Sequence, residues 1–265
     1  MNFLQPAGHA RPAGLCKNGG VSTKLKPGWY VLIALALYAL VVTLAWRHDR
    51  AELHRLRAAL AGAPPAPEQT SGREGYTFPL PGACLPQRPA HLPGYPRDYR
   101  KGANQGFIFT GGDACVPVVY GTGVVAAQRG RVLKAEHDYR EMTADEFDAL
   151  IQAVADGATP EEMDRLRGRE VWIEHPDGRI TVYAHLSGVR ADLAVGQLVE
   201  RGEWIGYVGN SGSQAASRGS KEGARLLLEV WRGNVDTGTY LGEGLDPREN
   251  KDKILALGRA LFAVP

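Results

Sequence analysis

The sequence has almost no excess of charge of either sign and contains few cysteines. It carries 31 basic and 29 acidic residues among 265, which leaves a formal net charge of only +2. This balance gives no electrostatic argument for a nucleic-acid partner, because nucleic-acid-binding domains concentrate positive charge against the phosphates. The three cysteines, Cys16, Cys84 and Cys115, include no CxxC pair, which excludes a disulfide-dense scaffold and a zinc ribbon.

Residues 28–46 form a long apolar run, GWYVLIALALYALVVTLAW, without a charged side chain. Its length of about 19 residues is close to what a helix needs to cross a bilayer. Trp29 and Trp46 lie near its ends, where aromatic residues favour the membrane interface. A cleaved signal peptide would end in small residues, whereas this run continues into RHDR at 47–50. The sequence therefore predicts an uncleaved transmembrane helix, although basic residues on both sides leave its orientation undecided.

The segments beside this run are predicted to be irregular or only partly helical. Residues 1–27 contain Gly, Pro and Lys without apolar periodicity, which indicates a disordered tail. Residues 47–75 predict a juxtamembrane helix followed by a Pro-rich linker. Leu53, Leu56 and Leu60 have heptad-like spacing in that helix, a pattern that would support a homodimer, but the stretch is shorter than a coiled coil requires.

Residues 76–250 are predicted to form a mostly β domain, an antiparallel sandwich or open barrel. Short β-branched and aromatic runs alternate there with Gly, Pro and Asp. The sequence HPDG at 175–178 predicts a tight turn in a hairpin, because proline presets one turn dihedral and glycine permits a positive one. The predicted strands are 124–127, 132–135, 171–175, 180–185, 204–208 and 226–231.

A helical insert at 137–168 is predicted to interrupt this β pattern. Thr143 with Glu146 forms a capping-box sequence, and Thr159 with Glu162 forms a second one with proline at the first helical position. The insert is rich in Asp and Glu, which indicates either a solvated helical face or a surface for a partner. A further helix or tail is predicted at 251–265.

Three stretches of the β domain carry a family resemblance. Residues 121–132, GTGVVAAQRGRV, resemble GTPVxAxxxGxV; residues 171–187, VWIEHPDGRITVYAHLS, resemble VxIxHxDGxxTxYAHLS; residues 196–212, GQLVERGEWIGYVGNSG, resemble GxxVxxGxxIGxVGxTG. These motifs, in this order, are those of the LytM/lysostaphin-type zinc metallopeptidases, and an ordered series is far more specific than one short motif. The resemblance covers roughly residues 76–247. It implies the duplicated hybrid motif fold of enzymes that typically cut peptide cross-links in bacterial peptidoglycan.

The residues that bind zinc in this family are replaced in this chain. The resemblance places Asn104 and Ile108 where the His and Asp of an HxGxD-like motif belong, and Arg225 and Leu227 at the two histidines of a late HxH motif. Only His185, in YAHL, is kept. Isoleucine and leucine have no atom that coordinates zinc, and a protonated guanidinium repels a cation. The resemblance therefore implies a degenerate member without bound zinc, a pseudoenzyme of the family.

Other histidines and a shifted alignment offer weak alternatives. A second register of the first motif would keep Asp113 but would place Phe109 at the histidine position. His137 and His175 are isolated, and an isolated histidine without partners is more often a hydrogen-bonded structural residue. Neither alternative rebuilds a zinc site.

The same substitutions predict what the former zinc cleft contains. Ile108 and Leu227 are expected to fill it with apolar contacts, since unsatisfied polar groups there would be costly. Arg225 is expected to reach solvent or to pair with an acid, for which Glu229 on the same strand face is a candidate. The candidate binding residues are Asn104, His185, Arg225 and Glu229.

Cys84 and Cys115 lie on either side of the degenerate first motif. In an oxidising compartment they are expected to form a disulfide, whereas the alternative is two independent buried thiols. The resemblance implies a single-pass protein of the bacterial inner or plasma membrane, with its C-terminal domain in the periplasm or outside the cytoplasm.

The function that follows from these expectations is a membrane-anchored, non-catalytic relative of the peptidases. It would act as a binding, regulatory or scaffold module of the cell envelope, with peptidoglycan or an envelope protein as its partner. Two alternatives are an active peptidoglycan metalloendopeptidase with relocated ligands and a purely structural envelope anchor.

Overall fold

A computed structural model describes residues 75–263 of the chain. The predicted tail (1–27), the predicted membrane helix (28–46) and nearly all of the predicted juxtamembrane segment (47–75) lie outside the described residues. Within 75–263, no helix is both long and apolar enough to cross a membrane.

Short strands dominate the described residues. They are β1 (Pro96–Arg97), β2 (Gly102–Ala103), β3 (Gly106–Phe109), β4 (Gly123–Val125), β5 (Gly130–Ala135), β6 (Val171–Glu174), β7 (Arg179–Ala184), β8 (Leu186–Val189), β9 (Leu198–Val199), β10 (Trp204–Val208), β11 (Leu226–Arg232) and β12 (Thr239–Tyr240).

These strands form one large and two small sheets, and every pairing is antiparallel. The seven-stranded sheet has the order β12-β11-β7-β6-β5-β9, and β3 also pairs with β11. A three-stranded sheet has the order β4-β10-β8, and β1 pairs with β2. The prediction of a mostly β, antiparallel domain is confirmed.

Strand β11 shows how the large sheet separates its two faces. Leu226 and Leu228 point into the main hydrophobic core, to which the three-stranded sheet also contributes side chains. Leu227 and Trp231 belong to a second apolar cluster. Because successive strand residues point to opposite faces, Glu229 lies on the same face as Leu227. This outer face of the large sheet carries Ile108 and Leu227, two of the positions at which the resemblance places zinc ligands.

Gly106 allows β3 to lie close to β11. It is the register partner of Glu229, and a Cβ atom at Gly106 would lie 2.2 Å from the carbonyl oxygen of Leu228. A larger residue would therefore push β3 away from β11. This close pairing places Ile108 directly opposite Leu227.

Four α-helices complete the described residues: α1 (Ala144–Ala153), α2 (Pro160–Arg167), α3 (Gln214–Ser217) and α4 (Pro247–Leu261). Helices α1 and α2 lie within the segment where the sequence predicts a helical insert, and both begin with a complete capping box. The insert has a small apolar core of its own, formed by Met142, Phe147, Leu150 and Val154.

A disulfide joins Cys84 to Cys115, with their Cα atoms 5.5 Å apart. The amide of Cys84 also donates a hydrogen bond to the carbonyl oxygen of Ala114 at 3.0 Å. The predicted disulfide is confirmed, which excludes two independent thiols. It ties the segment before β1 to the loop between β3 and β4.

Candidate functional site

A cavity of about 920 Å³ lies over the outer face of the large sheet. Ile108, Leu227 and Glu229 line it from the sheet, and the helical insert lines it with residues that include Ile151 and Met163. This size is within the range of ligand-binding pockets, about 300–1,000 Å³. The prediction that the former zinc cleft is filled is therefore wrong. Ile108 and Leu227 form an apolar floor, but their side chains are too short to close the space above it.

The side chain of Asn104 lies at the edge of this cavity and hydrogen-bonds to the backbone. Its side chain is 3% exposed, and its Nδ2 donates to the carbonyl oxygens of Leu92 at 2.8 Å and Gly106 at 2.7 Å. The backbone N–H of Asn104 donates to the carbonyl oxygen of Tyr95 at 2.8 Å. Both amide hydrogens of the side chain are thus used to hold the start of β3.

His185 lies between β7 and β8 with a left-handed backbone, φ 62°. Its Nδ1 is 2.8 Å from the carbonyl oxygen of Ser211. Burial, with a smaller contribution from the positive charge of Arg225, lowers the pKa of His185 well below its ordinary value. The ring is therefore neutral at physiological pH, and since a carbonyl only accepts, Nδ1 carries the proton and Nε2 is an acceptor.

The side chains at the family positions do not fit a zinc ion. Ile108 and Leu227 have no donor atom, Asn104 uses its amide on two carbonyls, and Arg225 is a cation. Of these positions, only His185 offers a ring nitrogen. A catalytic zinc site uses three protein ligands, so one imidazole is not enough. Among residues 75–263, no group of three or more His, Cys, Asp or Glu side chains is placed to hold a metal ion.

The alternative register through Asp113 does not rebuild a site either. Phe109, which it would place at the histidine position, is fully buried in the main core. Asp113 accepts hydrogen bonds from the backbone amides of Gln87 at 2.9 Å and Arg88 at 3.0 Å. Its carboxylate also lies 2.8 Å from Nδ1 of His91, a cavity residue that the sequence motifs did not indicate.

The other isolated histidines have structural roles. His175 bonds through Nδ1 to the carbonyl oxygen of Arg129 and through Nε2 to Oγ1 of Thr181, both at 2.8 Å. Nε2 of His137 is 2.7 Å from the carbonyl oxygen of Leu193. Neither histidine lines the cavity.

Glu229 is held by Arg167 and not by Arg225, so the predicted partner of Arg225 is wrong. Arg167 extends from the end of α2 and is 1% exposed, while Glu229 is fully buried. Two hydrogen bonds of 3.1 and 2.9 Å join the guanidinium to the carboxylate. Arg167 also contacts Asp236 at 2.6 Å, and Trp231 donates to Glu229 at 2.8 Å. This buried network fastens the helical insert to the sheet.

Arg225 lies in the cavity wall beside two other arginines, Arg97 and Arg100, which the motif comparison missed. Nη1 of Arg225 donates to the carbonyl oxygen of Gly223 at 3.2 Å, and burial lowers its pKa to about 10. Burial also lowers the pKa of Arg97, whose Nη2 donates to the carbonyl oxygen of Ala90 at 3.0 Å. The only sequence signal was the basic, aromatic run YPRDYRK at 95–101.

Glu170 is a second buried acid, and it links the insert to β5. It is fully buried, and Nζ of Lys134 lies 2.5 Å from its carboxylate and 2.8 Å from that of Asp164 on α2. Burial raises the pKa of Glu170 to about 7, and the attraction of Lys134 only partly opposes this.

The stability of the domain is expected to fall as pH rises from 5 to 8 because of Glu170. A carboxyl whose pKa is higher in the folded state stabilises that state below its unfolded pKa, and loses this contribution as pH rises through about 7. Glu170→Gln should reduce the fall in unfolding free energy by about 2 kcal/mol. Urea unfolding at both pH values measures this, with Glu174→Gln, on the exposed side of β6, as control. Equal pH dependence in wild type and Glu170→Gln would contradict it.

The comparisons with known proteins bear on the family. Residues 141–239 match the model of peptidase family M23. No curated protein matches the chain. Solved structures that match this chain include a zinc-containing peptidase from Vibrio cholerae, 18% identical over 59% of this chain and 36% of that chain, with a TM-score of 0.36. This chain thus spans little more than a third of that protein.

Two other matches cover most of the neighbour's chain. The catalytic domain of the antimicrobial peptidase lysostaphin from Staphylococcus simulans is 18% identical over 66% of this chain and 86% of that chain, with a TM-score of 0.34. A chain of the SpoIIQ-SpoIIIAH pore forming complex is 19% identical over 68% and 96%, with a TM-score of 0.39. The family match at residues 141–239 and the three ordered motifs show that the described domain is similar to peptidase family M23, of the LytM/lysostaphin type.

Proposed function

We propose that this M23-like domain is a non-catalytic module that binds peptidoglycan peptides in the cell envelope, held at the membrane by the apolar run at 28–46. The observation that carries the proposal is an open cavity over a floor from which zinc ligands are missing. Ile108 and Leu227 occupy two family ligand positions, yet about 920 Å³ stays open above them. A domain that served only as a spacer would have no reason to keep this space.

The walls of the cavity also suit a peptide. Apolar side chains of the insert and of the floor offer contacts for aliphatic groups, while Gln105, Ser213 and Gln214 offer polar ones. A mostly apolar pocket with a few polar groups is typical of small-ligand and peptide sites. The Arg167–Glu229 network holds the helical insert against the sheet, so the cavity is formed before a ligand binds.

Co-sedimentation with insoluble peptidoglycan tests the proposal. The full chain is expected to bind the polymer without releasing muropeptides. Ile108→Trp should weaken this binding, because the indole would extend from the floor into the cavity. The matched control is Leu198→Trp, at a side chain that is 72% exposed on β9 and lies outside the cavity.

Each alternative function predicts a different outcome. Release of muropeptides that a chelator stops would indicate an active metallopeptidase and would contradict the proposal. Absence of binding, with the chain folded, would favour the structural anchor. Equal loss of binding in both tryptophan variants would show that the cavity is not the binding site.

A further inference from the structure

Three arginines of the cavity, Arg97, Arg100 and Arg225, form what we call the arginine cluster. Among the described residues, none of the three has a carboxylate within ion-pair distance. Their hydrogen bonds in the described structure go to main-chain carbonyls and, for Arg100, also to the sulfur of Met163 at 3.2 Å. Three guanidiniums therefore share one cavity without an acidic partner.

Burial makes this arrangement energetically costly. Arg100 is only 7% exposed, and its Nε is buried without a hydrogen-bond partner in the described structure. Arg97 and Arg225 are partly buried, and the charge of Arg97 acts unfavourably on Arg225. Buried charges in proteins are normally paired, since desolvation of an unpaired charge is costly. An unpaired cluster of like charges thus indicates a site whose partner arrives from outside.

The acids that line the same cavity do not neutralise the cluster. Glu229 is bound by Arg167 and Trp231. Asp148, on α1, lies 4.0 Å from Arg218. Glu222 is exposed to solvent. The cluster is therefore the part of the cavity with uncompensated positive charge.

We propose that the arginine cluster is a carboxylate-binding subsite and that the groove takes peptides through a free carboxylate group. This inference rests on the proposed function and names the chemical class of the ligand. Guanidinium groups bind carboxylates through two parallel hydrogen bonds, a geometry that also gives specificity. The apolar floor of Ile108 and Leu227 in the same cavity suits the aliphatic part of a peptide. An inorganic oxyanion would use the cluster but gain nothing from that floor.

Titration calorimetry of the full chain tests this with a purified disaccharide tetrapeptide and the same compound with its carboxylates converted to amides. The amidated compound is expected to bind about tenfold or more weakly, because it loses hydrogen bonds between charged groups. Arg225→Gln and, separately, Arg97→Gln should weaken binding of the free acid to a similar extent. Each substitution should also reduce the difference in affinity between the free acid and the amidated compound.

The matched control is Arg232→Gln, at an exposed arginine that ends β11 and lies outside the cavity. It should bind the free acid as the wild type does. Thermal unfolding separates binding from folding. Because no acid among residues 75–263 pairs with Arg225, Arg225→Gln should leave the Tm unchanged or raise it by a few degrees. A Tm lowered by both Arg225→Gln and Arg97→Gln would show that these arginines are structural and would overturn the inference.

The remaining outcomes distinguish the inference from the proposed function. If acid and amide bind equally while co-sedimentation with peptidoglycan persists, the inference fails and the proposed function stands. If neither the soluble compounds nor the polymer bind, both fail. If inorganic phosphate displaces the free acid at concentrations where acetate does not, the cluster is a phosphate site, which also overturns the inference.

Discussion

Arg167→Met is expected to lower the free energy of unfolding by about 3–5 kcal/mol, the usual cost of leaving one buried charge without its partner. Methionine keeps much of the volume of arginine but removes the hydrogen bonds that Arg167 donates to Glu229 and Asp236. Glu229 is fully buried, so water cannot replace the guanidinium without opening the insert. Urea unfolding of the wild type and the variant measures the loss.

Two further variants show whether the buried charge is the cause. Arg165→Met, at an exposed arginine two residues earlier on α2, should change stability little. Adding Glu229→Gln to Arg167→Met should recover at least half of the loss, because the buried group is then neutral and can still accept from Trp231. A single-variant loss below about 1 kcal/mol would mean that Glu229 finds another partner or solvent.

The second large effect concerns zinc. The wild-type chain is expected to purify without stoichiometric zinc and to leave peptidoglycan uncut. A triple variant should bind zinc weakly at best; it combines Asn104→His, Ile108→Asp and Leu227→His. Groups that orient zinc-bound imidazoles typically contribute about 10–100-fold in metal affinity, and Glu229, the acid on the same strand face, is already bound by Arg167 and Trp231. The guanidinium of Arg225 in the same cavity adds repulsion. Atomic absorption and a muropeptide-release assay measure both properties.

Adding Arg225→His to the triple variant tests the role of that charge. It removes the cation and returns the family residue, so zinc should bind about tenfold more tightly than in the triple variant. One zinc per wild-type chain, lost to a chelator together with lytic activity, would contradict the non-catalytic proposal. Full lytic activity of the triple variant would show that the rest of the catalytic machinery is intact.

Local sequence signals predicted much of the fold. The turn at 175–178 forms with a positive φ at Gly178, and its flanking strands β6 and β7 pair as a hairpin. Thr143 and Thr159 begin α1 and α2, each through hydrogen bonds to a glutamate three residues later. These features depend on a few adjacent residues, so the sequence contains all the chemistry that they need.

The candidate site was predictable only in part. Motif alignment located Asn104, Ile108, Arg225 and Leu227, and the chemistry of these residue types is enough to show that they do not fit zinc. Their surroundings were not predictable. The cleft was expected to be filled, but the insert stands over the floor as a wall and keeps a cavity open.

The sequence alone thus determined which chemical groups the domain has at the family positions and where its hairpin and helices begin. It favoured a disulfide between Cys84 and Cys115, which the structure confirmed. Only the tertiary structure decided the partners of the buried charges. Alternation along β11 puts Leu227 and Glu229 on one face, but Arg167, which binds Glu229, is 62 residues away in the chain. Arg97 and Arg225 also line one cavity only because distant segments of the chain pack together. Ion pairs act over a few ångströms in space, and a linear sequence carries no direct record of such distances.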